Sequence, residues 1–185
     1  MSEQVTDTDV AIVGGGPAGL MLSHLLYRAG LSSVTVDVRS RREIEETHRA
    51  GILELDSVRL LVETGVSDRV LRDGCEHEGI ELAFGGSGHR IDFHDLVGAS
   101  VQLYPQTDVF IDLADARQRD GGDVRFGVRD VAVLDPTSDR PGIRFADADG
   151  VAQQVRARVV VGADGSRSMC RHEFPETVRR QFFRE

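Results

Sequence analysis

A run of glycines near the N-terminus carries the clearest chemical signal in the sequence. Gly14-Gly15-Gly16-Pro17-Ala18-Gly19 fits the pattern G-x-G-x-x-G. In that pattern Gly14 allows a tight turn, Gly16 lets backbone approach a pyrophosphate, and Gly19 lets a helix pack on the preceding strand. Pro17 and Ala18 stand where that helix begins, and its free N–H groups and positive dipole end suit phosphate. Asp37 lies 18 residues beyond Gly19. An acid there accepts hydrogen bonds from the ribose hydroxyls of an adenosine and disfavours a 2′-phosphate. Together these residues point to a dinucleotide, and both FAD and NAD satisfy them. The bland alternatives are a purely structural glycine turn and a solvated strand-end acid.

The flanking elements decide between those readings. Asp9–Val13 is a short apolar run that reads as a buried parallel strand. Pro17–Ala29 carries Leu20, Met21, Leu25 and Leu26 at helical spacing, with Gly30 as its stop. Val34–Val38 is a second apolar run, so the first forty residues read β–turn–α–β. Further on, residues 53–71 look mainly helical with an interruption near Gly65. Ile80–Phe84 and Arg90–Phe93 flank a glycine turn and predict a hairpin. Ser100–Tyr104 is a candidate strand and Thr107–Arg119 a helix. Candidate strands over 124–134, 142–146 and 151–162 follow, with Asp147–Gly150 as a tight turn. The predicted fold is α/β: a Rossmann-like βαβ core with an inserted β-hairpin and a three-stranded β-meander. Residues 1–8 are polar and expected to be frayed.

Composition excludes several classes. With 185 residues, 40% hydrophobic and 29% charged, the chain suits one soluble globular domain. No apolar run approaches the roughly 18 residues of a spanning helix, so no membrane partner is expected. A net charge of −9 argues against nucleic acid. The two cysteines, Cys75 and Cys170, make no disulfide framework and suit a reducing cytoplasm. His77, His89 and His94 share no metal-ligand spacing, so no metal site is expected. Neither a Ser/His/Asp arrangement nor a pair of catalytic carboxylates is visible.

Further motifs make the sequence recognisable. Thr47-His48-Arg49-Ala50-Gly51, His77-Glu78-Gly79-Ile80-Glu81, Tyr104-Pro105-Gln106-Thr107 and Val161-Gly162-Ala163-Asp164-Gly165-Ser166 follow the glycine fingerprint in order. In order and spacing the set resembles the flavoprotein aromatic hydroxylases, from about Asp9 to the last residue. The resemblance implies FAD as cofactor and NADPH as co-substrate. It also implies transfer of one oxygen from O2 to a small aromatic substrate, a phenolic benzoate of the 4-hydroxybenzoate type, and a homodimer for full-length relatives.

Site roles carry over by position. The resemblance implies that Gly14, Gly16, Pro17, Ala18 and Gly19 cradle the FAD pyrophosphate. Asp37, where the family usually has Glu, would hold the adenosine ribose. Arg49 would approach the phosphate and ribityl region, with the Ala50-Gly51 backbone bordering the flavin ring. Gln106 would contact FAD, and Asp164 and Gly165 would support the pyrophosphate region and NADPH access. Thr47 departs from the Arg of close relatives, which weakens any nicotinamide-cofactor role for that turn.

In the family the chain continues into a substrate sheet that supplies the substrate-binding and catalytic side chains. Here 9–175 would be an incomplete FAD-binding domain and 176–185 the start of that sheet, with catalytic residues unassigned and the chain alone expected to be inactive. The competing expectation is a non-catalytic FAD-binding fragment; the DNA downstream of Glu185 would separate the two. An NAD-binding dehydrogenase module is a third class, which a yellow purified protein would exclude.

Overall fold

A computed structural model describes residues 4–178. The chain divides into two compact units where the sequence suggested one domain: one formed by the stretches up to Ile44 and from Arg117 onward, the other by Glu45–Ala116. The first unit opens with β1 (Gln4–Asp7), β2 (Val10–Val13), helix α1 (Pro17–Arg28), β3 (Ser33–Asp37) and the start of α2 (Arg41–Glu45). The second unit contains β4 (Ile52–Glu54), α3 (Leu55–Glu63), α4 (Arg69–Arg72), β5 (Cys75–His77), β6 (Gly79–Phe84), β7 (Ser87–Asp92), α5 (Phe93–Val97), β8 (Val101–Leu103) and most of α6 (Gln106–Arg119). Back in the first unit come β9 (Asp123–Phe126), β10 (Arg129–Leu134), β11 (Gly142–Ala146), β12 (Ala152–Arg156), β13 (Val159–Gly162) and a 3-10 turn at Cys170–Glu173.

The first unit is built on a parallel sheet in the order β13-β2-β3-β9. Strands covered on both faces read as unbroken apolar runs, and Ala11, Ile12, Val34 and Val36 are accordingly buried. Side chains alternate across the pleat. Ile12 lies beneath Gly19 of α1. Ala11, Val13, Val34 and Val36 pack instead with Ile143, Phe145 and Val155 of a second sheet.

That second sheet has the order β1-β12-β11-β10. Its β10–β11–β12 part is the expected antiparallel meander. Residues 4–7, expected to be frayed, form β1, a parallel edge strand on β12. The ladder bonds supply the order that its polar side chains do not signal.

Two expected strands are each divided between sheets. The run 124–134 breaks at Gly127, whose φ of +70° turns the chain from the parallel sheet into the meander. The run 151–162 breaks at Ala157 and Arg158, whose N–H groups donate to the carbonyls of Pro141 and Asp9.

In the second unit β4 and β5 flank β8 in an antiparallel sheet. The predicted hairpin is β6–β7. Its turn is Gly85-Gly86, both at positive φ, the geometry of a two-residue hairpin loop. The expected helical stretch over 53–71 becomes α3 and α4 around Gly65, while Leu53 and Glu54 belong to β4. At the C-terminal end, residues 176–178 form a turn where the start of a sheet was expected; 179–185 lie outside the described residues.

Candidate functional site

In the first unit the ends of three neighbouring parallel strands bring together the glycine turn, Asp37, Asp164 and Gly165. Gly14 donates its N–H to the Val36 carbonyl, and Ala163 donates to Val13. The backbone of Ala163 and Asp164 lies directly against Gly14, where a side chain would stand. Gly19 is equally tight, because the Gly14 carbonyl occupies the place of its Cβ. Gly16 differs from both: a methyl group there would meet no atom within 4 Å.

Gly16 is the N-cap of α1, with Pro17 in the first turn and no side-chain cap. The N–H groups of Ala18 and Gly19 therefore have no partner inside the helix. Open space in front of unclaimed donors at the positive end of a 12-residue helix suits an anion.

Asp37 ends β3 with its side chain only 4% exposed. Its Oδ2 accepts the Gly15 N–H at 2.8 Å. The Arg39 side chain grips it in two places, Nε to Oδ1 at 3.0 Å and Nη2 to Oδ2 at 2.8 Å. The Arg39 backbone N–H also donates to Oδ1, at 2.9 Å. Gly15 and Arg39 are contacts that the sequence reading left out. Arg39 stands two residues beyond the strand-end acid, a spacing that equally describes a solvated surface arginine.

Asp164 folds its own loop. Its Oδ2 accepts the N–H groups of Met169 at 2.7 Å and Cys170 at 3.2 Å. Burial works to raise its pKa, but hydrogen bonds from Ser168, Cys170 and Met169 outweigh burial and hold it below the ordinary value. Its Oδ1 is buried without a well-formed hydrogen bond. The neighbouring Cys170 thiol is pushed up to about 12 by burial and by the Asp164 charge, which leaves it an inert thiol at neutral pH. Gly165 adopts φ +79° beside open space.

Within the second unit Arg49 and Ala50 are exposed, and Gly51 sits against the backbone of Tyr104 and Pro105. The Gly51 carbonyl accepts the Tyr104 N–H at 3.0 Å. The 49–51 turn and Gln106 are thus held on one loop junction. A buried network fixes that junction. The Tyr104 hydroxyl donates to Asp112 Oδ2 at 2.7 Å, and Arg69 Nη1 donates to Asp112 Oδ1 at 2.7 Å. Burial and the Asp112 charge both raise the Tyr104 pKa. Tyr104→Phe leaves the buried carboxylate short of a donor. It should lower the unfolding free energy by about 2 kcal/mol, measured by urea denaturation.

The residues present fit a pyrophosphate-bearing cofactor: the open cradle at Gly16 stands at the start of α1, whose first N–H groups have no partner inside the helix. Among the described residues no group of His, Cys, Asp and Glu could hold a metal ion. No helix among them is long and apolar enough to cross a membrane.

This geometry defines a dinucleotide-binding α/β protein, and comparison with known proteins narrows it to one class. The sequence profile of the FAD binding domain matches residues 7–182, so the chain belongs to the FAD binding domain family of flavoprotein monooxygenases. It is 37% identical over 180 residues to the p-hydroxybenzoate hydroxylase of Acinetobacter baylyi, which covers 97% of this chain and 44% of that protein. It superposes on the flavin-dependent monooxygenase PieE, solved with FAD and substrate, with a TM-score of 0.71, 26% identity, and coverage of 90% and 32% of the two chains. The p-nitrophenol 4-monooxygenase of Pseudomonas putida shares the fold, with a TM-score of 0.77, 22% identity, and coverage of 91% and 43%. The chain thus spans less than half the length of these relatives. FAD is the cofactor of this family, and the Rossmann-like core of the first unit is the fold that holds it.

Proposed function

We propose that this chain is the FAD-binding part of an NAD(P)H-dependent aromatic hydroxylase whose substrate is a phenolic benzoate, 4-hydroxybenzoate first among candidates, converted to 3,4-dihydroxybenzoate. The supporting observation is the open, donor-lined cradle at Gly16 beside a buried strand-end acid, in a chain 37% identical to a p-hydroxybenzoate hydroxylase. Bound flavin would supply the redox chemistry that links a nicotinamide reductant to O2.

The chain's own residues bind and orient. Gly14 and Gly19 keep strand and helix in contact, and the N–H groups at the start of α1, Ala18 and Gly19, face the pyrophosphate. Asp37 accepts from the adenosine ribose. Arg49 meets the phosphate and ribityl region, Ala50 and Gly51 border the flavin ring with backbone alone, and Gln106 adds a polar contact. Asp164 and Gly165 shape the loop beside the pyrophosphate and the nicotinamide approach. The acid at Asp164 works through hydrogen bonds and loop geometry, because it repels phosphate.

The test has two stages. The purified chain should carry flavin, seen as a yellow protein releasing FAD on denaturation; a colourless protein that binds NAD instead would overturn the assignment. The whole protein should then oxidise NADPH faster with 4-hydroxybenzoate present and form 3,4-dihydroxybenzoate, identified by chromatography. Stimulation by other phenols without that product would reassign the substrate. Asp37→Ala removes the ribose acceptor and should weaken FAD binding about tenfold to a hundredfold by fluorescence titration. Equal affinity would count against the ribose role.

A further inference from the structure

Asp37 already has all the hydrogen bonds it can take. A carboxylate offers about four lone-pair positions. Here Oδ1 accepts the backbone N–H and Nε–H of Arg39, and Oδ2 accepts the Gly15 N–H and Arg39 Nη2–H. Two of those four donors belong to one side chain. The acid's side chain is 4% exposed and the Arg39 side chain 40% exposed, so the guanidinium forms the outer layer over the acid. The backbone beneath is anchored, because Gly127 donates to the Arg39 carbonyl at 2.9 Å and Val128 to the Asp37 carbonyl at 3.2 Å. A ribose hydroxyl can reach Asp37 only if the Arg39 side chain leaves, and that motion needs no change of backbone.

We propose that Arg39 is a displaceable cover on Asp37, which competes with the adenosine ribose for the acid's hydrogen-bonding positions and so limits how tightly the protein holds any nucleotide with an adenosine end. The proposal rests on the ribose role of Asp37. A bidentate Arg–carboxylate pair is the strongest of the ordinary charge-assisted contacts, so breaking it subtracts from nucleotide affinity. The displaced guanidinium keeps a charge partner nearby, since Glu43 acts on it electrostatically from the start of α2. Removing the cover frees two of the acid's four lone-pair positions, one on each oxygen, for the ribose hydroxyls, while the backbone N–H groups of Gly15 and Arg39 keep the other two.

The experiment is calorimetric titration of the full chain, freed of flavin, with FAD, ADP and riboflavin. Arg39→Met keeps the stem and removes the fork. It should lower the Kd for FAD and for ADP about tenfold and leave riboflavin, which has no adenosine, unchanged. Arg39→Lys keeps the charge but loses the bidentate grip. It should fall between wild type and Arg39→Met, and it carries the test if the methionine variant does not fold. In an Asp37→Ala background the same substitution should change nothing. An FAD affinity equal to or weaker than wild type in both Arg39 variants overturns the cover, as does an equal gain for riboflavin. If Asp37→Ala binds FAD as tightly as wild type, the ribose role itself fails and the cover falls with it. Weaker FAD in Asp37→Ala with no gain in the Arg39 variants overturns the cover alone.

Discussion

Gly16→Val should strip the protein of FAD while leaving its fold intact. The two halves of that result have separate causes on the same residue. Gly16 has φ −76° and ψ −177°, a conformation open to any L-residue, and the space where a Cβ would project is empty to 4 Å. A Cβ there needs no strained backbone and meets no other part of the chain within 4 Å, so the unfolding midpoint of the flavin-free variant should move by less than about 2 °C. In the proposed site the same empty space is where the pyrophosphate would approach the first N–H groups of α1. Two extra methyl groups hold the phosphate away from donors that work only at hydrogen-bond distance. We expect the FAD affinity to fall at least about a hundredfold, roughly 3 kcal/mol, read as flavin per chain after purification and by titration. Full flavin occupancy in a folded Gly16→Val protein would remove this turn from the cofactor site.

The same turn shows why part of the molecule was legible in its sequence. Strands β2 and β3 and the last strand β13 are parallel and apolar, and a buried parallel strand leaves a continuous hydrophobic run. The glycines, Asp37 and Asp164 then follow from standing at the ends of those strands. The hairpin was legible because Gly85-Gly86 supplies the two positive φ values its turn requires. Where the pattern was silent, the physical cause can be named. β1 is an edge strand of Gln4, Val5, Thr6 and Asp7, held by ladder bonds to a partner about 150 residues away, so neither its composition nor its neighbours announce it. The division of 151–162 into β12 and β13 depends on which carbonyls Ala157 and Arg158 find, Pro141 and Asp9. Local propensity carries no record of that choice. Arg39 was missed for a related reason: an arginine two residues past a strand reads as solvated surface until its fork is seen on the acid.

Gly14→Ala should produce the opposite phenotype to Gly16→Val, a loss of stability that takes the cofactor with it. Gly14 sits at φ +113°, outside even the left-handed helical region that other residues visit, and a side chain there costs about 1–3 kcal/mol in backbone strain. Its Cβ would also stand on the carbonyl of Ala163 and 2.7 Å from the Asp164 nitrogen. These are backbone atoms at the end of β13 and cannot swing aside as a side-chain tip can. Parting β2 from β13 adds an overpacking cost of about 1–3 kcal/mol. The sum, about 4 kcal/mol, is a large share of the roughly 5–15 kcal/mol that holds a domain folded, and it should lower the unfolding midpoint by about 10 °C. Gly30→Ala is the control. Gly30 has φ +74° with no atom within 4 Å of its Cβ position, so it bears backbone strain alone and should lose only about 1 kcal/mol. Thermal unfolding of the two variants without flavin separates strain from contact. If Gly14→Ala costs no more than Gly30→Ala, the close approach of β13 to the glycine turn does not exist in solution. If it costs several times more, the first glycine serves the joining of strands, and the proposed phosphate contact falls to Gly16 and the N–H groups of Ala18 and Gly19.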